Sequence, residues 1–393
     1  MENGTIRYAQ SHTFPQGGLF MEGTMKQLVL SQKGGPWVMV EKPIPQLQRD
    51  EVLVKITSTS ICNQTDLNSI KALHPPHEVQ NHGGLPHHLR IWDNRLEGDP
   101  LAKYYNYDMP DLKPYPAPMG HEAMGVVVEV GELDKVPASR AVKVGDRVCV
   151  LCDSTLSQYA VCPANVNKVP DGLTDDEGGL WEPWMVAWGP CSNTVKFGDT
   201  IAIFGQGALG LFGTQLAKMM GAGRIITIEP IAFKRELSRE FGADVVLDPT
   251  TQNITEEIDK LTNGKGVNVC FDFSGSPEAI QTMPYVTKCD GTIVQIGALC
   301  TPVLIDWGYI HFKGLQVHSS TSASRMSVHY RSENAVTRAL SDMLREKQAG
   351  RLHIDKMVTH RPEFSVEGIT HIFEEIEKGN VIKAVFNPWK DAE

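Results

Sequence analysis

At 393 residues the chain is longer than one compact core usually holds, so two domains are expected. Hydrophobic residues make up 41% and charged residues 21%, an ordinary globular balance that excludes a disordered chain. The formal charge of −10 argues against nucleic acid or an anionic membrane surface as the main partner, because both attract clustered Lys and Arg, and leaves a small molecule as the expected ligand. No apolar run approaches the roughly 18 residues of a membrane span, and the first segment has neither a charged start nor an apolar core, so a soluble, cytoplasmic protein is expected. The 8 cysteines are too sparse and irregular for a disulfide framework, which makes reduced thiols the default.

The first two dozen residues carry Pro15, Gly17 and Gly18 with no clean period and read as an extension that packs on the surface or on another subunit. From Met25, short apolar runs at 28–30, 38–40 and 52–56 are separated by Gly, Pro and charged residues, as in a β-rich domain, and 125–131 and 146–151 continue the pattern. Residues 72–117 interrupt it with five His (His74, His77, His82, His87, His88), several Pro and the run KYYNY. A loop of that length usually serves a function, and a lid or subunit contact near the active site is expected.

From Thr200 the rhythm becomes strand and helix in alternation. Strands are predicted at 201–204, 225–229, 244–247, 268–273, 292–297 and 315–320, with helices between them, which describes a parallel, doubly wound sheet. The tail, with helices near 333–348 and 367–378 and a strand at 381–386, has no place in that sheet and is predicted to return to the first domain.

Directly after the first of these strands comes Gly205-Gln206-Gly207-Ala208-Leu209-Gly210. A strand before it, a helix after it and a second strand ending in Glu229 supply the context that a dinucleotide turn requires. Gly205 permits the turn, Gly207 lets the backbone approach a pyrophosphate, Gly210 allows close helix packing, and free N–H groups at the helix start attract phosphate. Glu229, 24 residues after Gly205, is placed to accept hydrogen bonds from a ribose diol and to repel a 2′-phosphate, so NAD is favoured over NADP. Lys234 and Arg235 follow it and soften that effect if they lie near.

Three separated segments offer metal ligands: Ser60 to Asp66, Met119-Gly120-His121-Glu122 and Trp181-Glu182-Pro183-Trp184. Together with GHEAMGVVVEVG, KVGDRV, VPDGLTDDEGG, VCFDFSGSPEAI, GTIVQIG and IKAVF, in that order, they resemble the zinc-dependent medium-chain dehydrogenase family, which includes alcohol, sorbitol and threonine dehydrogenases. The resemblance runs from Met25 to the last strand. It implies an α/β protein with a β-rich GroES-like catalytic domain, 1–191 and 326–393, carrying 72–117 as an insertion, and a Rossmann domain at 192–325. It implies one catalytic zinc on Cys62 and His121 with either Glu122 or Glu182 as the carboxylate ligand, and Asp66 orienting His121. It further implies Ser274, Gly275, Ile296, Gly297 and Lys383 as cofactor contacts beside the glycine turn, and a homodimer or homotetramer.

The sequence departs from the family pattern in three places. The hydroxyl expected to hand on the alcohol proton comes one residue late, making Thr65 the candidate relay, with Gln64 in its usual place. The closely spaced four-Cys run of the structural-zinc lobe is missing, since Cys149, Cys152 and Cys162 are too few and too scattered, so no structural zinc is expected. Cys62 and His121 are 59 residues apart, far beyond the usual spacer. The resulting expectation is an NAD- and zinc-dependent oxidoreductase acting on a secondary alcohol or polyol-like substrate, or on the corresponding carbonyl compound. The alternatives are an NAD-using lyase or epimerase with transient oxidation, and a zinc-free reductase of the same fold.

Overall fold

The computed structural model of the chain describes residues 6–7, 21–32, 34–70, 115–150, 152, 154–298, 303–319 and 333–390. Most of the expected N-terminal extension, and residues 72–114 of the expected insertion with all five of its histidines, lie outside the described residues. The chain divides into two compact units, Met1–Glu182 with Asp355–Glu393, and Pro183–Ile354.

The first unit is β-rich. Its strands are β1 (Ile6–Arg7), β2 (Thr24–Leu30), β3 (Trp37–Pro43), β4 (Glu51–Ser60), β5 (Ala117–Pro118), β6 (Glu122–Val130), β7 (Arg147–Val150) and β8 (Tyr159–Pro163), with the short helix α1 (Thr65–Ile70) after β4. Helix α2 (Asp175–Gly179) begins on a reciprocal cap, Thr174 with Glu177, and α3 (Trp181–Thr194) follows. Strand β4 has Val52, Val54 and Ile56 alternating into a core shared with Ala123, Val127, Val148, Val150, Ala160 and Cys162, while Leu53 on its other face is buried with Met25 and Ile44. Cys149 and Cys162 are both buried, and burial pushes the Cys149 thiol up, so both serve as small core hydrophobes.

The second unit is a parallel sheet of β9 (Thr200–Phe204), β10 (Arg224–Ile228), β11 (Val245–Leu247), β12 (Val267–Asp272), β13 (Thr287–Gln295) and β14 (Gln316–Ser319), in the order β11-β10-β9-β12-β13-β14. Helices α4 (Ala208–Met219), α5 (Ala232–Glu240), α6 (Ile254–Thr262), α7 (Pro277–Val286) and α8 (Trp307–Phe312) connect the strands. The central strands are buried throughout, as parallel strands covered on both faces must be: Ile201, Ala202, Ile203, Cys270 and Phe271 are all inaccessible. Strand order reverses between β9 and β12, where a doubly wound sheet opens a crevice at its carboxyl edge.

The tail does not return whole. Helix α9 (Glu333–Gln348) stays with the second unit, where Val336, Ala339, Leu340 and Met343 are buried and the Trp184 indole donates to the Ala339 carbonyl at 2.8 Å. The crossing back falls at residue 355, not 326, because the apolar stripe of α9 has its partners there. Only β15 (Val358–His360), α10 (Val366–Glu377) and β16 (Lys383–Phe386) rejoin the first unit, extending its sheet to β15-β16-β4-β6-β7. Among the described residues no helix is long and apolar enough to cross a membrane.

Candidate metal centre and nucleotide turn

Strand register builds the first site. β4 and β6 run antiparallel with Ser60 opposite Glu122, and β16 runs antiparallel to β4 with Val385 opposite Ser60. The end of β4, the start of β6 and the start of β16 therefore lie side by side, and Cys62, His121, Glu122 and Lys383 gather there. Ligand atoms of Cys62, His121 and Glu122 lie within 4.8 Å of one another. The 59-residue separation in sequence is no obstacle, since the sheet closes it.

Local structure fixes each side chain. The Cys62 N–H donates to Asp66 Oδ2 at 2.9 Å, and the Asp66 N–H donates to the Cys62 carbonyl at 3.0 Å, folding the Cys62 turn onto the first turn of α1. Asn63 donates from Nδ2 to the carbonyls of Val381 and Ile382, tying that turn to the chain entering β16. Gly120 has φ 90°, and a Cβ there would come 2.6 Å from Thr155 Oγ1, so glycine is required just before His121. Asp66 Oδ1 stands 3.8 Å from His121 Nδ1, near enough for its charge to act on the imidazole. The Trp181 indole donates to the Ala123 carbonyl at 2.9 Å, which sets Glu182 at the start of α3 beside the β6 terminus. Thr65 opens α1, half-buried, three residues past Cys62.

The electrostatics are those of a buried charge cluster. Glu122 is paired with Lys383, whose ammonium reaches Oε1 at 2.6 Å and also donates to the Ile61 carbonyl at 2.9 Å, while Ser60 Oγ donates to Glu122 Oε2. Burial would raise the Glu122 pKa, but the charges of Lys383 and His121, together with the hydrogen bonds from Lys383 and Ser60, outweigh it and hold the carboxyl below its usual value. Burial likewise opposes the Lys383 charge, and Glu122, Cys62 and Glu182 together more than offset it. For His121, burial opposes protonation, yet the hydrogen bond and charge of Cys62, with Asp66 and Glu182, raise the imidazole well above its usual value. Glu182 is the contrasting carboxyl: burial pushes it up to about 7.

Lys383, expected among the cofactor contacts, is the lysine that serves Glu122. It lies in the first unit, 2% exposed, with its ammonium committed to Glu122 and Ile61. The sequence signal was a single Lys inside the otherwise apolar VIKAVF, because a lysine in a buried strand demands a partner. Ser60 carried no comparable signal.

In the second unit the glycine turn lies at the carboxyl end of β9. Gly205 has φ 86° and packs against Ser274, and a Cβ on Gly210 would lie 1.8 Å from the Gly205 carbonyl oxygen, so both positions exclude side chains. A Cβ on Gly207 meets nothing within 4 Å, leaving the N-terminus of α4 open on that side. Ala208 and Leu209 are half-buried in the first turn. Ser274 and Gly275 follow β12, Ile296 and Gly297 follow β13, and a Cβ on Gly297 would approach the Gly275 nitrogen to 2.2 Å, so these loops meet at the same edge of the sheet. Glu229 follows β10 and accepts N–H groups from Gln206 at 2.7 Å and Ile231 at 2.9 Å. Gln206, expected among the cofactor contacts, is fully buried, and its side chain folds inward onto the Gly205 carbonyl and Thr214. The guanidinium of Arg235 is held by Asp248 at 3.0 Å and by the carbonyls of Glu229 and Pro230.

Two family models match the chain: the alcohol dehydrogenase GroES-like domain over residues 96–199, and zinc-binding dehydrogenase over residues 208–340. The chain is 30% identical to the L-threonine 3-dehydrogenase of Pyrococcus abyssi, over 88% of this chain and 94% of that one. It is 29% identical to the enzyme of the same name from Pyrococcus horikoshii, over 93% and 99%. The benzyl alcohol dehydrogenase of Acinetobacter calcoaceticus shares the fold, with a TM-score of 0.73 at 21% identity, covering 93% of this chain and 99% of that one.

Two stability measurements follow from the charge cluster. Glu122→Ala strands the Lys383 ammonium in the core and is expected to cost about 3–5 kcal/mol in denaturant unfolding. Glu182 behaves oppositely. Its folded pKa of about 7 exceeds the 4.5 of an ordinary glutamate, so the stability tied to its neutral form is complete below 4.5 and is lost as pH rises through 7. In metal-free protein, Glu182→Gln is therefore expected to gain on the wild type steadily across that window. A gap independent of pH would contradict the burial of this carboxyl.

Proposed function

Because the chain belongs to the zinc-dependent medium-chain dehydrogenase family, and is thereby an alcohol-type dehydrogenase using a nicotinamide cofactor, we propose that it oxidises a secondary alcohol or polyol-like substrate with NAD through one catalytic zinc on Cys62, His121 and Glu122. The observation that carries this reading is the convergence of a thiol, an imidazole and a carboxylate within 4.8 Å, at the joined ends of β4 and β6. One sulfur, one nitrogen and one oxygen donor suit zinc, and three protein ligands leave a position for substrate oxygen. The chemistry such an ion supplies when bound is Lewis acidity, which acidifies an alcohol and polarises a carbonyl.

The protein's own residues do the rest. Asp66 holds the imidazole in register from behind, and Lys383 and Ser60 hold the Glu122 carboxylate. Thr65, half-buried at the start of α1, is the proposed exit for the alcohol proton. Glu182 remains beside the site as a carboxyl that exchanges its proton near neutral pH. For the cofactor, the open N-terminus at Gly207 suits a pyrophosphate, and the Glu229 carboxylate suits a ribose diol. Of the two cations that follow Glu229, Arg235 is held by Asp248, which supports NAD over NADP, while Lys234 feels the Glu229 charge and softens that preference.

Metal analysis is expected to find about one zinc per chain, lost in Cys62→Ala and His121→Ala and retained in Glu182→Gln. With NAD and a panel of secondary alcohols that includes L-threonine, the substrate of the archaeal relatives, one NADH should appear per alcohol consumed, and chelation should abolish it. Full turnover in chelator would remove the metal from the mechanism.

We also propose a homodimer or homotetramer. Leu304, Trp307 and Phe312 are 86%, 66% and 87% exposed beside β14, an edge strand with every residue exposed, and such a patch on a parallel sheet suits a second copy of the same edge. Trp307→Glu is expected to lower the mass measured by light scattering to that of a smaller species.

A further inference from the structure

The glycine turn contains a buried polar network that its glycine pattern does not require. Gln206, fully buried, donates from Nε2 to the Gly205 carbonyl at 3.0 Å and accepts at Oε1 from Thr214 Oγ1 at 2.8 Å. Thr214 is itself fully buried, in the second turn of α4. Its hydroxyl has one proton, and the amide orientation shows where that proton goes: turning the amide over would set its oxygen against the Gly205 carbonyl, so Oε1 faces Thr214 and needs a donor. The 3.0 Å contact from the same hydroxyl to the Gly210 carbonyl is the secondary one. The backbone N–H of Gln206 donates to Glu229 Oε2, and Ile231 supplies the N–H for Oε1. One residue thus joins a helix hydroxyl, the turn carbonyl and the Glu229 carboxylate, which is proposed above to take the ribose diol.

We propose that Thr214 is a positioning residue for dinucleotide selectivity: by holding the Gln206 amide it keeps the Gln206 N–H on Glu229, and so fixes the carboxylate that favours a ribose diol and rejects a 2′-phosphate. The inference rests on reading this turn as a nicotinamide-dinucleotide site. Removing the hydroxyl leaves an acceptor without a donor at a fully buried position, and the turn must loosen to relieve it. A carboxylate no longer pinned at one oxygen can rotate away and admit phosphate.

The test measures NAD and NADP dissociation constants by titration calorimetry on the full-length wild type, Thr214→Val and Thr214→Ser, with thermal unfolding of each without nucleotide. Thr214→Val is expected to weaken NAD binding roughly five- to tenfold and to shrink the preference for NAD over NADP by a similar factor. Thr214→Ser, which keeps the hydroxyl, should restore both. If Thr214→Val does not fold, Gln206→Ala carries the test with the same expected loss of preference. A variant that unfolds earlier yet keeps the wild-type NAD to NADP ratio overturns the inference and leaves the nucleotide reading standing. A wild type that binds neither nucleotide overturns that reading and the inference with it.

Discussion

The ion pair between Glu122 and Lys383 is the interaction on which the candidate metal centre depends. Both side chains are almost wholly withdrawn from water, 1% and 3% exposed, so each charge is tolerable only because the other is present. The pair spans strands 261 residues apart in sequence, one at the start of β6 and one at the start of β16, with β4 between them. Ser60 and the Ile61 carbonyl, both from the end of β4, complete its hydrogen bonding. Three strand ends are thereby held at one place, and Cys62 and His121 are the residues that follow and precede them. A hydrophobic replacement could bind the strands as tightly, but it would leave no carboxylate in the cluster.

The second unit reaches a similar result by different means. Parallel strands all end on the same edge, so the loops after β9, β10, β12 and β13 meet without any long-range ion pair, and contact is limited only by how closely backbones can approach. That limit explains the glycines at 205, 210 and 297, each of which lies where a Cβ would overlap a neighbouring residue. Gly207 is different, since the space beside it is empty. Steric exclusion within the fold accounts for the first three, and access from outside accounts for the fourth.

The charge environment also separates the two candidate carboxylate ligands. Glu122 is held ionised by the charges and hydrogen bonds around it, whereas for Glu182 burial outweighs the charges of His121 and Lys383 and pushes the carboxyl up to about 7. Two glutamates close in space therefore have distinct chemistry, one a permanent anion and the other a group that gains or loses a proton under ordinary conditions.

Much of this was readable in the chain itself. Short apolar runs marked β2, β3, β4, β6 and β7, alternating strand and helix patterns marked the parallel sheet, and the glycine turn was legible because its steric demands are local. The ligand types at 62, 121, 122 and 182 could be named on likeness to a family, but their convergence could not be computed from spacing, because register between distant antiparallel strands is set by the whole sheet. Three assignments were decided only in three dimensions: Lys383 serves Glu122, Gln206 faces inward to Thr214, and α9 stays with the second unit. The sequence by itself determined which residues are apolar, which are charged and where the backbone must turn. Tertiary structure decided which charge meets which, since a buried donor or charge takes the partner that packing brings to it, from any distance along the chain.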